Sequence, residues 1–126
     1  MDRKIRLGII GTGGIAHAHM GAYKNRNDIE FVAGCDIVPG KAEAFFKEFG
    51  VEGVHIYTSH EEMLEKEQLD AVSVCTYNRQ HAAPTICALK HGVNVLLEKP
   101  FSVTLDEAVE MCRAEKESGK ILTIGF

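Results

Sequence analysis

Gly11-Thr12-Gly13-Gly14-Ile15-Ala16 follows an apolar run, Ile5 to Ile10, and opens a helix-like stretch, Ile15 to Tyr23. A strand that turns through glycines into a helix is the start of a β-α-β unit. The spacing Gly11-x-Gly13-x-x-Ala16 gives each small residue a task. Gly11 permits a tight turn, Gly13 removes a Cβ where the backbone must approach a ligand, and Ala16 lets the helix pack closely on the strand. The helix N-terminus adds unpaired N–H groups and the positive end of a dipole, which together favour an anion. Thr12, Gly14 and Ile15 complete the stretch expected to hold that anion.

Outward from this turn, strand-like runs alternate with helical ones to the end of the chain. Six strands are expected: Ile5 to Ile10, Ile29 to Cys35, His55 to Tyr57, Leu69 to Cys75, Val93 to Glu98 and Ile121 to Ile124. Several are nearly continuous Val, Ile, Leu and Ala, as in strands covered on both faces. Such alternation predicts an α/β fold, a doubly wound, mostly parallel six-stranded sheet with helices on both faces. This is the Rossmann fold, with expected strand order 3-2-1-4-5-6 and a crevice at the carboxyl ends of strands 1 and 4. Helix boundaries are marked by capping boxes at Ser59 with Glu62 and at Thr104 with Glu107, and by glycine caps at Gly50, Gly92 and Gly119. Pro39 and Pro84 read as first-turn prolines.

Function is therefore sought at the strand ends. Asp36 closes the second strand, 36 − 11 = 25 positions after the first glycine. At about that spacing a carboxylate accepts hydrogen bonds from the adenosine ribose of a dinucleotide. The same carboxylate repels a 2′-phosphate, and the following Ile37 and Val38 supply no arginine to offset it, so NAD is favoured over NADP. Lys41 is the one residue whose charge opposes that preference; its other reading is a solvated first-turn lysine. Asp36 also reads as a turn residue before Pro39-Gly40.

Thr76-Tyr77-Asn78-Arg79-Gln80-His81 follows the fourth strand. Helix capping accounts for Thr76 and Asn78 as well as cofactor contact does, and His81 reads equally as a first-turn surface residue or as a group at the cofactor or substrate. The fifth strand ends in Glu98-Lys99-Pro100. An ammonium at Lys99 would lie where a donor can orient a substrate hydroxyl and stabilise developing alkoxide charge, or else it snorkels from the sheet edge.

The rest of the composition narrows the field. The chain is 126 residues long, with 45% hydrophobic and 25% charged residues, enough for one compact domain and no second core. A formal net charge of −4 argues against a nucleic-acid partner. No apolar run spans a bilayer and no signal-peptide core is present, so a cytoplasmic address is expected. Cys35, Cys75, Cys87 and Cys112 lack metal or redox spacing and read as buried thiols. His17 and His19 lie two apart on a helix and diverge, so no metal site is expected.

With the glycine turn, Asp36, Thr76-x-Asn78-x-x-His81 and Glu98-Lys99-Pro100 in place, all 126 residues resemble the N-terminal domain of the glucose-fructose oxidoreductase, inositol dehydrogenase and MocA family. The resemblance implies NAD(P)-dependent oxidation or reduction of a sugar, polyol or related carbohydrate. It makes Lys99 the catalytic lysine, with Pro100 shaping the turn by the nicotinamide and Thr76, Asn78 and His81 lining the cofactor. Tyr77 stands where many members have proline. Family enzymes continue into a second domain that forms the substrate pocket; its absence here implies a cofactor domain that binds NAD without turnover. Homo-oligomers through an open strand edge are a further expectation. The competing reading is a nucleotide-sensing regulatory module, which has no need of Lys99; a methyltransferase is disfavoured by the Gly13 to Ala16 spacing.

Overall fold

The computed structural model describes residues 4–23, 26–76, 82–97 and 105–124, and of residues 14, 15, 105 and 124 the backbone alone. Strands and helices alternate as β1 (Ile5–Ile10), α1 (Gly14–Tyr23), β2 (Ile29–Cys35), α2 (Lys41–Glu48), β3 (His55–Tyr57), α3 (His60–Lys66), β4 (Ala71–Val74), α4 (Ala82–Lys90), β5 (Asn94–Leu97), α5 (Leu105–Ser118) and β6 (Leu122–Ile124). The sheet runs β3-β2-β1-β4-β5-β6 with every pair parallel. The expected doubly wound order is the observed one, and the reversal falls between β1 and β4.

Alternation along β1 divides the core. Leu7 and Ile9 join Ala16 and Met20 of α1 and Phe45 and Phe46 of α2 in one apolar layer. Ile10 faces the other way, into a layer with Met63 and Leu64 of α3, Leu89 of α4 and Met111 of α5. Leaving Ile9, Met20, Leu89 or Met111 in water would forgo about 2 kcal/mol each, so the two apolar layers hold the helices to the sheet.

Some boundaries differ from those expected. β4 spans Ala71–Val74, not Leu69 to Cys75, and β5 spans Asn94–Leu97. The outer residues still hydrogen-bond to neighbours: Asp70 N–H to Arg6 O at 2.8 Å and Cys75 N–H to Ile10 O at 2.7 Å. Only the ladder pattern stops sooner. β6 begins at Leu122, one residue late. The Ser59 cap is present, its hydroxyl accepting from Glu62 N–H, and Gly50, Gly92 and Gly119 follow their helices at positive φ; Thr104 lies outside the described residues. Pro39 is not helical. It is the second residue of a turn in which Lys41 N–H donates to Val38 O at 3.2 Å and Gly40 adopts φ 83°, ψ −14°, the geometry of a type II turn. The thiols also divide: Cys35 and Cys75 are buried, but Cys87 is half-buried and Cys112 lies on the exposed face of α5.

Candidate dinucleotide site

The register places the carboxyl ends of three strands side by side, with Ile10 opposite both Cys35 and Val74. From that edge the chain runs into the glycine turn. Gly11 N–H donates to Cys35 O at 2.8 Å, which carries the β1-β2 ladder one residue into the turn. Gly11 itself has φ 89°, and a Cβ there would meet the Cys75 and Thr76 backbone at 2.8 Å. Its lack of a side chain is therefore a packing requirement at the β1-β4 junction. Gly13 differs. Among the described residues, a Cβ on Gly13 would meet only the Lys41 ammonium, 4.0 Å away, so none of them covers this face of the backbone. Ala16, fully buried, performs the close packing assigned to the third small residue.

Asp36 is buried at 8% exposure and directs both carboxylate oxygens to the loops around it. Thr12 donates twice to Oδ2, from N–H at 2.9 Å and from its hydroxyl at 2.7 Å. Val38 N–H donates to Oδ1 at 3.0 Å. Burial opposes the charge on Asp36, but these three donors and the nearby Lys41 ammonium outweigh it and hold the carboxyl below its ordinary range. The neighbouring Cys35 thiol is pushed up to about 12 by burial and then by the Asp36 charge, which leaves it unreactive. Ile37 is 64% exposed beside this carboxylate, offering an apolar surface at the crevice. The turn reading of Asp36 is realised in its bond from Val38 N–H, and the carboxylate stands ionised at the carboxyl end of β2.

Thr12 was expected among the residues that hold the anion. Its side chain is buried and bonded to Asp36, so it braces the turn. His17 is a second brace that the sequence did not reveal. Its Nδ1–H donates to Gly13 O at 2.8 Å, its Nε2 lies 3.3 Å from Glu48, and its ring contacts Phe45 and Phe49 at centroid distances of 5.0 and 5.5 Å. The signal was available in the phenylalanine pattern of α2, but only the tertiary fold brings that helix to α1. Gly14 and Ile15 contribute the first backbone turn of α1. Thr76 is half-buried at the end of β4. Asn78, His81, Glu98, Lys99 and Pro100 lie outside the described residues.

A tight turn, a backbone face that no described residue covers, a helix start and a buried acid on one edge of the sheet fit a dinucleotide. Residues 5–126 match the GFO_IDH_MocA profile, described as an oxidoreductase family with an NAD-binding Rossmann fold. The chain belongs to this family. As the family's NAD-binding domain, it is 37% identical over 123 residues to the D-glucoside 3-dehydrogenase of Escherichia coli K12, covering 97% of this chain and 34% of the relative. It is 31% identical over 124 residues to the inositol 2-dehydrogenase of Salmonella typhimurium LT2, covering 97% and 37%. Among solved structures it superimposes on the WlbA dehydrogenase of Bordetella pertussis, in complex with NADH and UDP-GlcNAcA, with a TM-score of 0.88, 30% identity and coverage of 98% and 37%. The chain spans about a third of the length of these relatives. Among the described residues, no helix is long and apolar enough to cross a membrane.

Proposed function

We propose that this chain is the cofactor half of an NAD-dependent dehydrogenase acting on a sugar, polyol or related carbohydrate. The observation that carries the reading is the pairing of Asp36, ionised and braced, with the Gly13 face that no described residue covers, on the same sheet edge. The glycine turn and the start of α1 would hold the diphosphate, Asp36 the adenosine ribose, and Ile37 the adenine side. When bound, NAD supplies the hydride acceptor. Lys99 would orient the substrate hydroxyl and stabilise its alkoxide character, and His81 would assist proton movement at the same position. The carbohydrate assignment is supported by the relatives, one a glucoside dehydrogenase and one an inositol dehydrogenase.

On this reading the chain alone binds NAD without turnover, works in the cytoplasm, and associates through the β6 side, where Val109 and Ile121 are 48% and 65% exposed. Titration of the chain with NADH, followed by nicotinamide fluorescence, is expected to saturate in the micromolar range. NAD should compete, and no NADH should form on adding NAD with myo-inositol or a glucoside. Absence of saturable binding would remove the cofactor assignment. NAD reduction by the chain alone would remove the claim that it lacks turnover.

A further inference from the structure

His17 holds the glycine turn through a ring whose two nitrogens both meet acceptors. Nδ1 lies 2.8 Å from Gly13 O, and Nε2 lies 3.4 and 3.3 Å from the two carboxylate oxygens of Glu48. A carbonyl and an ionised carboxylate can only accept, and a neutral imidazole carries a single N–H. The ring therefore satisfies one partner when neutral and both when it carries two protons. Neutral, with Nδ1–H on Gly13, it turns a bare Nε2 lone pair toward a carboxylate.

The surroundings hold the ring in that position. Phe45 and Phe49 of α2 pack against it at centroid distances of 5.0 and 5.5 Å, and β1 brings the apolar Leu7 and Ile9 to the same layer. Glu48 is the charge that α2 sets against the ring, and Lys41, at the start of the same helix, is the cation beside Gly13. On α1 itself, His19 is engaged with Cys75 Sγ at 3.4 Å. His17 stands three residues past Gly14, the first residue of α1, so its ring lies one turn from the N–H groups that would hold a diphosphate.

We propose that His17 and Glu48 form a proton-linked brace of the glycine turn, and that dinucleotide binding draws a proton onto His17. This rests on the cofactor reading above and adds to it a dependence on pH. Imidazole is the side chain that changes its charge between pH 5 and 8. A bound diphosphate is an anion and favours the charged ring; by linkage the charged ring favours the diphosphate by the same factor. Affinity accordingly rises as pH falls through the imidazole range and levels off below it.

Calorimetric titration of the chain with NADH between pH 6 and 8, in buffers of differing ionisation heat, counts the protons taken up on binding. Wild type should take up about a third of a proton at the midpoint and bind about threefold tighter at pH 6 than at pH 8. His17→Asn keeps a donor at the position of Nδ1 and cannot charge. It should match wild type at pH 8, with a flat profile and no proton uptake. His17→Ala loses the donor as well and should bind about threefold more weakly than His17→Asn at every pH. Glu48→Gln should move the rise in affinity to lower pH. Proton uptake that persists in His17→Asn would overturn the inference. So would a wild-type chain that takes up no proton, equal binding by His17→Ala and His17→Asn, or a Glu48→Gln profile that does not move. A wild-type chain that binds no NADH at any pH would overturn the cofactor reading itself, a result separate from these.

Discussion

The two edges of the sheet use the same residue type for different ends. At the amino edge, Asp70 accepts from Arg6 N–H at 2.8 Å, Asn94 Nδ2 donates to the Asp70 carbonyl at 2.9 Å, and Asn94 Oδ1 accepts from Ile121 N–H at 2.9 Å. Side chains there stitch β1, β4, β5 and the approach to β6 to one another. At the carboxyl edge, Asp36 spends its bonds on loops, Thr12 of the glycine turn and Val38 of the next turn, and has a cation at its side. Parallel strands explain the difference. All of them end together, so every following helix starts at the carboxyl edge and brings its N–H groups and positive dipole end there. An acid at the amino edge closes the sheet; an acid at the carboxyl edge organises the loops that follow the strands.

The most severe way to break this contrast is Asp36→Ala. Three donors lose their acceptor at a buried position, at about 1 kcal/mol each, so thermal unfolding should show a loss of about 3 kcal/mol. NADH affinity should fall about tenfold and the gap to NADPH should narrow. Wild-type melting with unchanged affinities would show that Asp36 organises nothing. Asp70→Ala should be milder, a loss of about 1–2 kcal/mol that includes the Arg6 N–H left without its acceptor, with NADH affinity within about twofold of wild type. A large affinity loss in that variant would erase the distinction between the edges.

The smallest effect is that of acid. The folded-state pKa of Asp36 is depressed, so its stabilising contribution is present above the unfolded value of about 3.9 and is lost as pH falls below it toward the folded pKa. Denaturant titrations between neutral and acid pH should therefore show a shallower decline for Asp36→Asn than for wild type, while Asp70→Ala keeps a decline attributable to Asp36. Equal slopes in wild type and Asp36→Asn would assign acid sensitivity to other groups.

Much of this was legible in the residues. Uninterrupted Val, Ile and Leu runs marked the strands, and their alternation with helices gave the strand order and its reversal between β1 and β4. The rest depended on contacts distant in sequence. That Thr12 bonds Asp36 is set by how β1 and β2 align, a matter of register across 24 residues. His17 finds Glu48 only because α1 and α2 share one face of the sheet. Lys41 was visible as a charge, but its approach to Gly13 is a contact across 28 residues. Proline then glycine at the two central positions is itself a type II signal, and Pro39 could have been placed by it.

The bonds from Thr12 to Asp36 and from His17 to Gly13 carry a kinetic corollary. They fix the glycine turn by contacts internal to the chain, so the conformational entropy of ordering that backbone is lost during folding and need not be lost again on association. A preorganised turn makes encounter the slow step, and substitutions around it should alter residence time far more than the rate of capture.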